Sequence, residues 1–499
     1  MNRKHLIIPT LILALWPGRL AAESLCRPLD YDTVFSLPAS ATLATPAFSS
    51  LRQPVSNTDI AAGFTTQRLS APVSPQTGRG GSYGFFDAST YIKTPYGTLT
   101  GCALYKNGTA RDLQGSETTD ADILFPFFTT DEVGGDLERE VYSFGGSYAG
   151  SFGGPTIFGV EAGYTAVQDC RRRDPRPKNT VGRLDAAFSA GAFLGMHAFA
   201  ATVSAGKYKQ TNSIMFVSEL GESRIYHTSG LGTHYARFSG QGRNSHYSGS
   251  RFGAALAAFP RHGVGAFGSA SFSRFSFTKQ LVDLNRLPLQ HAAHTQWKVQ
   301  AGWSAASWRV SATWRHDRRT GTENIFGDPA GGVFPLLFGI DTYRFRGTSA
   351  TVQGVWRHRT ALATLDIDAA ATYTRRHSTL FANSPRNLRT AAAQVGLGAR
   401  FCRFASPKWL LHVAAHLHAT LPSDCSLDGM PEAVAFPASV TSEAFEAARL
   451  RRLDSRLELG IDRMLPAGRC IGLRVAGGIY AVEAHRRGFM AAAEAVFSF

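Results

Sequence analysis

Arg171, Arg172, Arg173, Arg176 and Lys178 place five cations in one short polar connection. Guanidinium groups pair bidentately with phosphate and carboxylate, so the chemistry on offer is capture of an anionic solute or a lipid phosphate. Asp169 and Asp174 lie in the same stretch and can accept from those arginines, and Asp174-Pro175 sets a turn, so the cluster can equally hold a loop in shape. A second pattern is His412, His416 and His418, which share one strand parity opposite Leu411, Val413, Ala415 and Leu417. That spacing can bring imidazoles to one metal, but no fourth ligand accompanies them, and the lining of a polar interior has the same parity.

Other chemistry is weakly marked. With 15 histidines and many serines, triads can be assembled on paper and none is singled out. Gly240-Gln241-Gly242-Arg243 lacks the strand-to-helix setting of a phosphate loop. The six cysteines, Cys26, Cys102, Cys170, Cys402, Cys425 and Cys470, form no CxxC pair, which leaves a metal cluster unsupported. One or two disulfides of unassigned connectivity are compatible with an oxidising compartment. No cofactor is implied.

The elements that would position these residues read as strands. In the segment 295–315, Trp297, Val299, Ala301 and Trp303 alternate with Gln296, Lys298, Gln300 and Ser304. After Ala305-Ala306-Ser307 the pattern resumes, with Trp308, Val310, Ala312 and Trp314 against Arg309, Ser311, Thr313 and Arg315. Period two on both sides of a short turn is a β-hairpin. Each strand brackets small aliphatic residues between two tryptophans, at a separation of about 20 Å of strand rise. Interfacial indoles flanking a lipid-facing band are how a strand crosses a bilayer. A soluble sandwich strand with tryptophan at both ends is the competing reading.

The rest of the chain favours the barrel. Strand candidates occupy 83–91, 99–105, 142–150, 156–166, 183–193, 197–207, 251–259, 264–275, 348–358, 362–373, 391–403, 408–421, 454–464, 471–482 and 488–499. Many have the length that a tilted strand needs to span a bilayer. Asp366 and Asp368 fall on one face of their strand and Arg400 on one face of the next, ordinary residues for a polar lumen. Short and long connections alternate, and the best helical spacing, 442–452, falls in a long one. Net charge is +15, but no stacking module or basic helix accompanies it, so nucleic acid is not an expected partner.

At the N-terminus, Arg3 and Lys4 precede an apolar run to Trp16 and a small-residue cut near Ala21-Ala22, the form of an export signal over 1–22. Residues 23–80 are rich in Ser, Pro, Ala and Thr and read as an irregular periplasmic or plug-like leader. The barrel is then expected over 81–499. Phe499 ends an amphipathic last strand, resembling the signal that outer-membrane barrels present to their assembly machinery.

The loops carry a sharper resemblance. Gln168-Asp169-Cys170-Arg171-Arg172-Arg173-Asp174-Pro175-Arg176-Pro177-Lys178-Asn179, Gly230-Leu231-Gly232-Thr233 and the run from Ser239 through Tyr247 to Gly249 resemble segments of an uncharacterised outer-membrane β-barrel family of the Bacteroidota, a domain of unknown function. This chain departs from that pattern by adding Arg171 and Arg172 and by inserting Gln241-Gly242. The resemblance covers about 83–499. It implies location and fold rather than activity, and partnership with a TonB-dependent uptake system or a lipoprotein.

The expectation is therefore an all-β, transmembrane antiparallel outer-membrane barrel of about 14 strands, within 12 to 16. It would be exported to the outer membrane of a Gram-negative bacterium and be surrounded by outer-membrane lipid. Arg309, Arg315, Asp366, Asp368, Arg400, His412 and His416 are its candidate lumen residues, and Trp297, Trp303, Trp308 and Trp314 its aromatic belts. Its expected role is non-enzymatic, a pore or a barrel subunit of an envelope transport complex; if the lumen is open, Arg309, Arg315 and Arg400 favour anions. The alternative is a lipase- or protease-type hydrolase embedded in the barrel.

Overall fold

The computed structural model describes residues 37–499 apart from 73, 219–222, 239–243, 382–384 and 484–485. The export signal and Cys26 lie outside the described residues, as does 239–243 of the third loop motif.

Eighteen strands form one closed antiparallel sheet. In chain order they are β1 (Asn57–Leu69), β2 (Gly80–Thr94), β3 (Gly97–Leu113), β4 (Gly135–Gly150), β5 (Thr156–Cys170) and β6 (Arg176–Leu194). Next come β7 (His197–Met215), β8 (Ser245–Pro260), β9 (Gly265–Leu281), β10 (Leu287–Ser304), β11 (Trp308–Phe326) and β12 (Leu336–Arg359). The last are β13 (Ala363–Leu380), β14 (Arg386–Ser406), β15 (Trp409–Asp428), β16 (Arg452–Met464), β17 (Cys470–Val482) and β18 (Arg486–Ser498). Each pairs with its sequence neighbour, and β18 returns to β1 with Ala495 opposite Ala62.

The class is the one read from sequence, an all-β membrane-spanning type of barrel. The strand number is corrected from about 14, within 12 to 16, to 18. Part of the difference is β1, which lies inside the stretch read as irregular leader. Its outward residues Ile60, Ala62 and Phe64 are too few to stand out against a Ser/Pro-rich context. Many strands also run past their expected bounds at the long-loop end, as β12 does from Leu336. There both faces meet polar surroundings, so the ladder continues after hydrophobic alternation has ended.

The wall is apolar outside. Phe64, Phe188, Val203, Leu256, Val299, Val310, Val352, Leu397, Leu459 and Leu473 all point outward and are exposed. The belt tryptophans share that face, with Trp297 at 52%, Trp303 at 48%, Trp308 at 42% and Trp314 at 44% exposure. Apolar surface ringing a closed sheet of this size is what a hydrocarbon surrounding requires, since it leaves no backbone edge unpaired. No helix among the described residues is long and apolar enough to cross a membrane. The helix Ala438–Ala448 sits in a long loop, close to its expected position.

Candidate functional site

Barrels of 16 to 18 strands enclose a channel unless something fills it. Here the short-turn end is crossed by the segment before β1, comprising Leu37–Ala39, Ser40–Leu43 and Pro46–Leu51. Phe48, Leu43 and Ala47 pack with Ile157, Ala198, Ala200, Ala257, Phe259 and Phe267 of the inner wall. Fully burying a Phe or Leu contributes about 1.5–3 kcal/mol.

Thr42 Oγ1 donates to Gln300 Oε1 at 3.1 Å, Ser49 Oγ lies 3.5 Å from Ser147 Oγ, and further wall side chains bond the segment's backbone. Gln300 Nε2 donates to Pro38 O at 2.8 Å, and its Oε1 accepts from Thr42 N at 3.2 Å. Ser311 Oγ donates to the same Pro38 carbonyl at 2.6 Å. Across the lumen, Ser189 Oγ accepts from Ala47 N at 2.7 Å and Tyr91 OH donates to Ser49 O at 2.7 Å. Gly159 lies beneath this crossing, where a Cβ would come within 2.4 Å of Ala47 N. Sequence reading found the parity of Gln300 and Ser311 but had no signal for what they bind.

A second segment folds into the barrel at the long-loop end, against one arc of the wall. The connection between β3 and β4 folds inward, burying Leu124, Phe127 and Phe128 against Val167, Val181, Tyr208, Tyr247, Phe275 and Phe277. Arg171 anchors it: its Nη2 lies 2.5 Å from Glu117 Oε1 and 2.7 Å from Asp131 Oδ2, all three side chains being buried. Its Nε donates to Pro175 O at 2.9 Å. Arg139 grips Asp169 bidentately at 2.7 Å. Asn179 and Asn212 both donate to the Glu117 carbonyl.

The five cations thus do not converge on one anion site. Arg172 pairs at the surface with Glu138, Arg176 pairs with Asp174, and Arg173 and Lys178 are exposed. Asp174 also accepts from the Val217 and Ser218 amides, and these bonds, Val217 first, hold its carboxyl below the usual range. Beneath the same loop, the buried Lys279 donates from Nζ to Phe128 O at 3.0 Å.

The Gly230–Thr233 motif has a backbone reason. Leu231 and Gly232 take φ of 46° and 77°, and a Cβ on Gly232 would come within 2.6 Å of Ala438 Cα. The turn therefore fits under the helix Ala438–Ala448, with Arg386 Nη1 donating to Leu231 O at 2.7 Å.

The remaining lumen candidates lie on inward faces. Arg309 is buried and donates to Ser304 Oγ; Arg315 is paired with Asp317. Asp366 is held by Arg357, while Asp368 lies directly opposite Gly398 on β14. Arg400 faces Asp366 in register. The histidines do not gather on a common ligand position: His418 is 3.7 Å from Asp454, and His416 is exposed. His412 instead joins residues that sequence did not connect, with its Nδ1 3.2 Å from Cys402 Sγ and its Nε2 2.5 Å from Asp462. Only strand register across β14, β15 and β16 brings these three together. Among the described residues Cys102, Cys170, Cys402, Cys425 and Cys470 form no disulfide with one another.

Fold and lumen define the class: a closed antiparallel barrel with an apolar outer belt and a folded segment seated inside. The chain belongs to a family of unknown function (DUF6850), whose profile matches residues 46–497. No curated protein matches it. Among solved structures it is similar to BauA, the ferric preacinetobactin receptor from Acinetobacter baumannii, at 10% identity over 88% of this chain and 80% of that one, with a TM-score of 0.39. A mutant ferric enterobactin receptor, PfeA, from Pseudomonas aeruginosa matches at 8% identity over 89% and 80%, TM-score 0.38. The siderophore receptor PirA from Acinetobacter baumannii matches at 7% over 89% and 80%, TM-score 0.37.

Proposed function

We propose that this protein is a non-enzymatic outer-membrane transport barrel whose lumen is closed at its periplasmic mouth by its own N-terminal segment. The carrying observation is the set of bonds from Gln300, Ser311, Ser189 and Tyr91 to the backbone of residues 38–49. A segment of short helical turns, held by packing and side-chain bonds rather than by strand pairing, can leave without unravelling the wall. Short turns then face the periplasm and long loops the exterior. Its surroundings are outer-membrane lipid, its folding route the barrel-assembly machinery that reads Phe499, and its working partner a TonB-dependent uptake system or a lipoprotein.

Gly159→Val tests the reading, because the new side chain occupies the place of the Pro46–Ala47 backbone. In planar bilayers the native chain is expected to be silent and the variant to conduct in discrete steps. Equal conductance of the two folded barrels would overturn the plug. A second reading, a membrane-embedded hydrolase, is favoured by the contact of Cys402, His412 and Asp462, which has the order nucleophile, base and orienting carboxylate. Ester hydrolysis by the purified barrel that disappears in Cys402→Ala would establish it, and hydrolysis unchanged in that variant would remove it.

A further inference from the structure

The outward face carries a second pattern, just beyond the long-loop edge of the apolar belt. One register row runs Arg274, Thr295, Arg318, Arg346, His377, Arg389 across the consecutive strands β9 to β14. Arg318 stands directly opposite Arg346, and His377 directly opposite both Arg346 and Arg389. The four arginines are exposed. The next outward row toward the belt reads Phe272, Trp297, His316, Thr348, Arg375, Ala391, and the next one away reads Ser276, Ala293, Thr320, Arg344, Thr379, Asn387. None of these three rows contains Asp or Glu. Among the described residues no ion pair joins Arg274, Arg318, Arg346 or Arg389 to a carboxylate.

Such a row is unfavourable by itself. Neighbouring strands are about 4.8 Å apart, and like charges placed directly opposite destabilise a sheet. The protein supplies no counter-charge here, although its inner face pairs Arg315, Arg357 and Arg171 with carboxylates. The missing anion must come from outside the chain. On strand β11 the row lies four residues beyond Trp314, and on β13 four beyond Tyr373, which is headgroup depth if the belt is in hydrocarbon.

We infer that the outward row Arg274, Arg318, Arg346, His377 and Arg389 is a binding surface for phosphate groups on anionic lipid headgroups of the outer leaflet. The guanidinium fork suits phosphate, and the spacing of the row lets one headgroup with two phosphates bridge adjacent strands. This inference rests on the reading that the apolar belt faces a bilayer.

The test uses the full chain and the variant R318Q/R346Q/R389Q, whose substitutions are exposed, with folding checked by heat-modifiable mobility. Retention of a bisphosphorylated lipid A is read by native mass spectrometry, against the same lipid stripped of phosphate and against free inorganic phosphate as competitor. Each surface arginine changes lipid affinity about fivefold, so the triple variant is expected to lose about a hundredfold. The lysine variant R318K/R346K/R389K is expected to keep most of the binding, and dephosphorylated lipid to bind both proteins alike. Equal retention by native and Gln variant would overturn the inference, as would full competition by free phosphate. Flotation with phosphatidylcholine vesicles is the separate arm: a folded barrel that fails to float sinks the membrane reading, whereas flotation with equal retention sinks only the lipid site.

Discussion

Arg171 shows how far residue type alone could be read. The sequence offered two uses for the cluster around it, anion capture and loop structuring, and chemistry could not choose because guanidinium serves both. The choice depends on Glu117 and Asp131, which lie 54 and 40 residues away in sequence. Burial sets the consequence. Removing one partner of a buried ion pair leaves the others charged and desolvated, at about 3–5 kcal/mol, while an exposed pair contributes under about 1 kcal/mol. Arg171→Gln should therefore loosen the loop between β3 and β4, and Arg172→Gln should leave it nearly unchanged. Amide exchange at Leu124 and Phe127 separates the two: fast exchange in the first variant alone is expected, and equal protection in both would show that Arg171 does not anchor the loop.

At the scale of the element, the tryptophan hairpin was the most legible part of the chain, because period two survives wherever one face meets hydrocarbon and the other a polar lumen. Strand ends beyond the belt, such as 320–326 of β11, lose that contrast and look like loop in sequence. The segment before β1 carries less signal: its composition marks it as unable to build a core, and nothing in it marks the wall it packs against. The belt itself makes a quantitative claim. Ala312 lies outward inside the band between Trp308 and Trp314, so Ala312→Arg places a charge within the hydrocarbon at a cost of up to about 2–4 kcal/mol. Reversible denaturant titration of the barrel in lipid vesicles measures it. A change under about 0.5 kcal/mol, the size typical of ordinary surface substitutions, would mean this wall does not face hydrocarbon.

For the whole molecule the decisive residue set is the one composition hid. Without β1, strands β2 and β18 would each present an unpaired edge, which is untenable inside a membrane and prone to association outside it. β1 joins them over its length, from Asp59 opposite Ser498 to Leu69 opposite Gly488. This closure also places the segment proposed to plug the lumen, since that segment ends at Leu51, only a few residues before β1 begins. The seam can be trapped chemically. Directly opposed strand residues bring their Cβ atoms to about 4.5–5.5 Å, close to what a disulfide requires, whereas a displacement of four residues adds about 13 Å. In a background without the native cysteines, Ala62→Cys with Ala495→Cys should oxidise within one chain, and Ala62→Cys with Ala491→Cys should not. The bridge is read as altered mobility of the unfolded, unreduced chain. If the opposed pair fails to close in folded protein while the displaced pair closes, the register of β1 on β18 is wrong by four residues; if neither closes, the barrel is completed by some strand other than β1, and the seating of the N-terminal segment must be argued again from that seam.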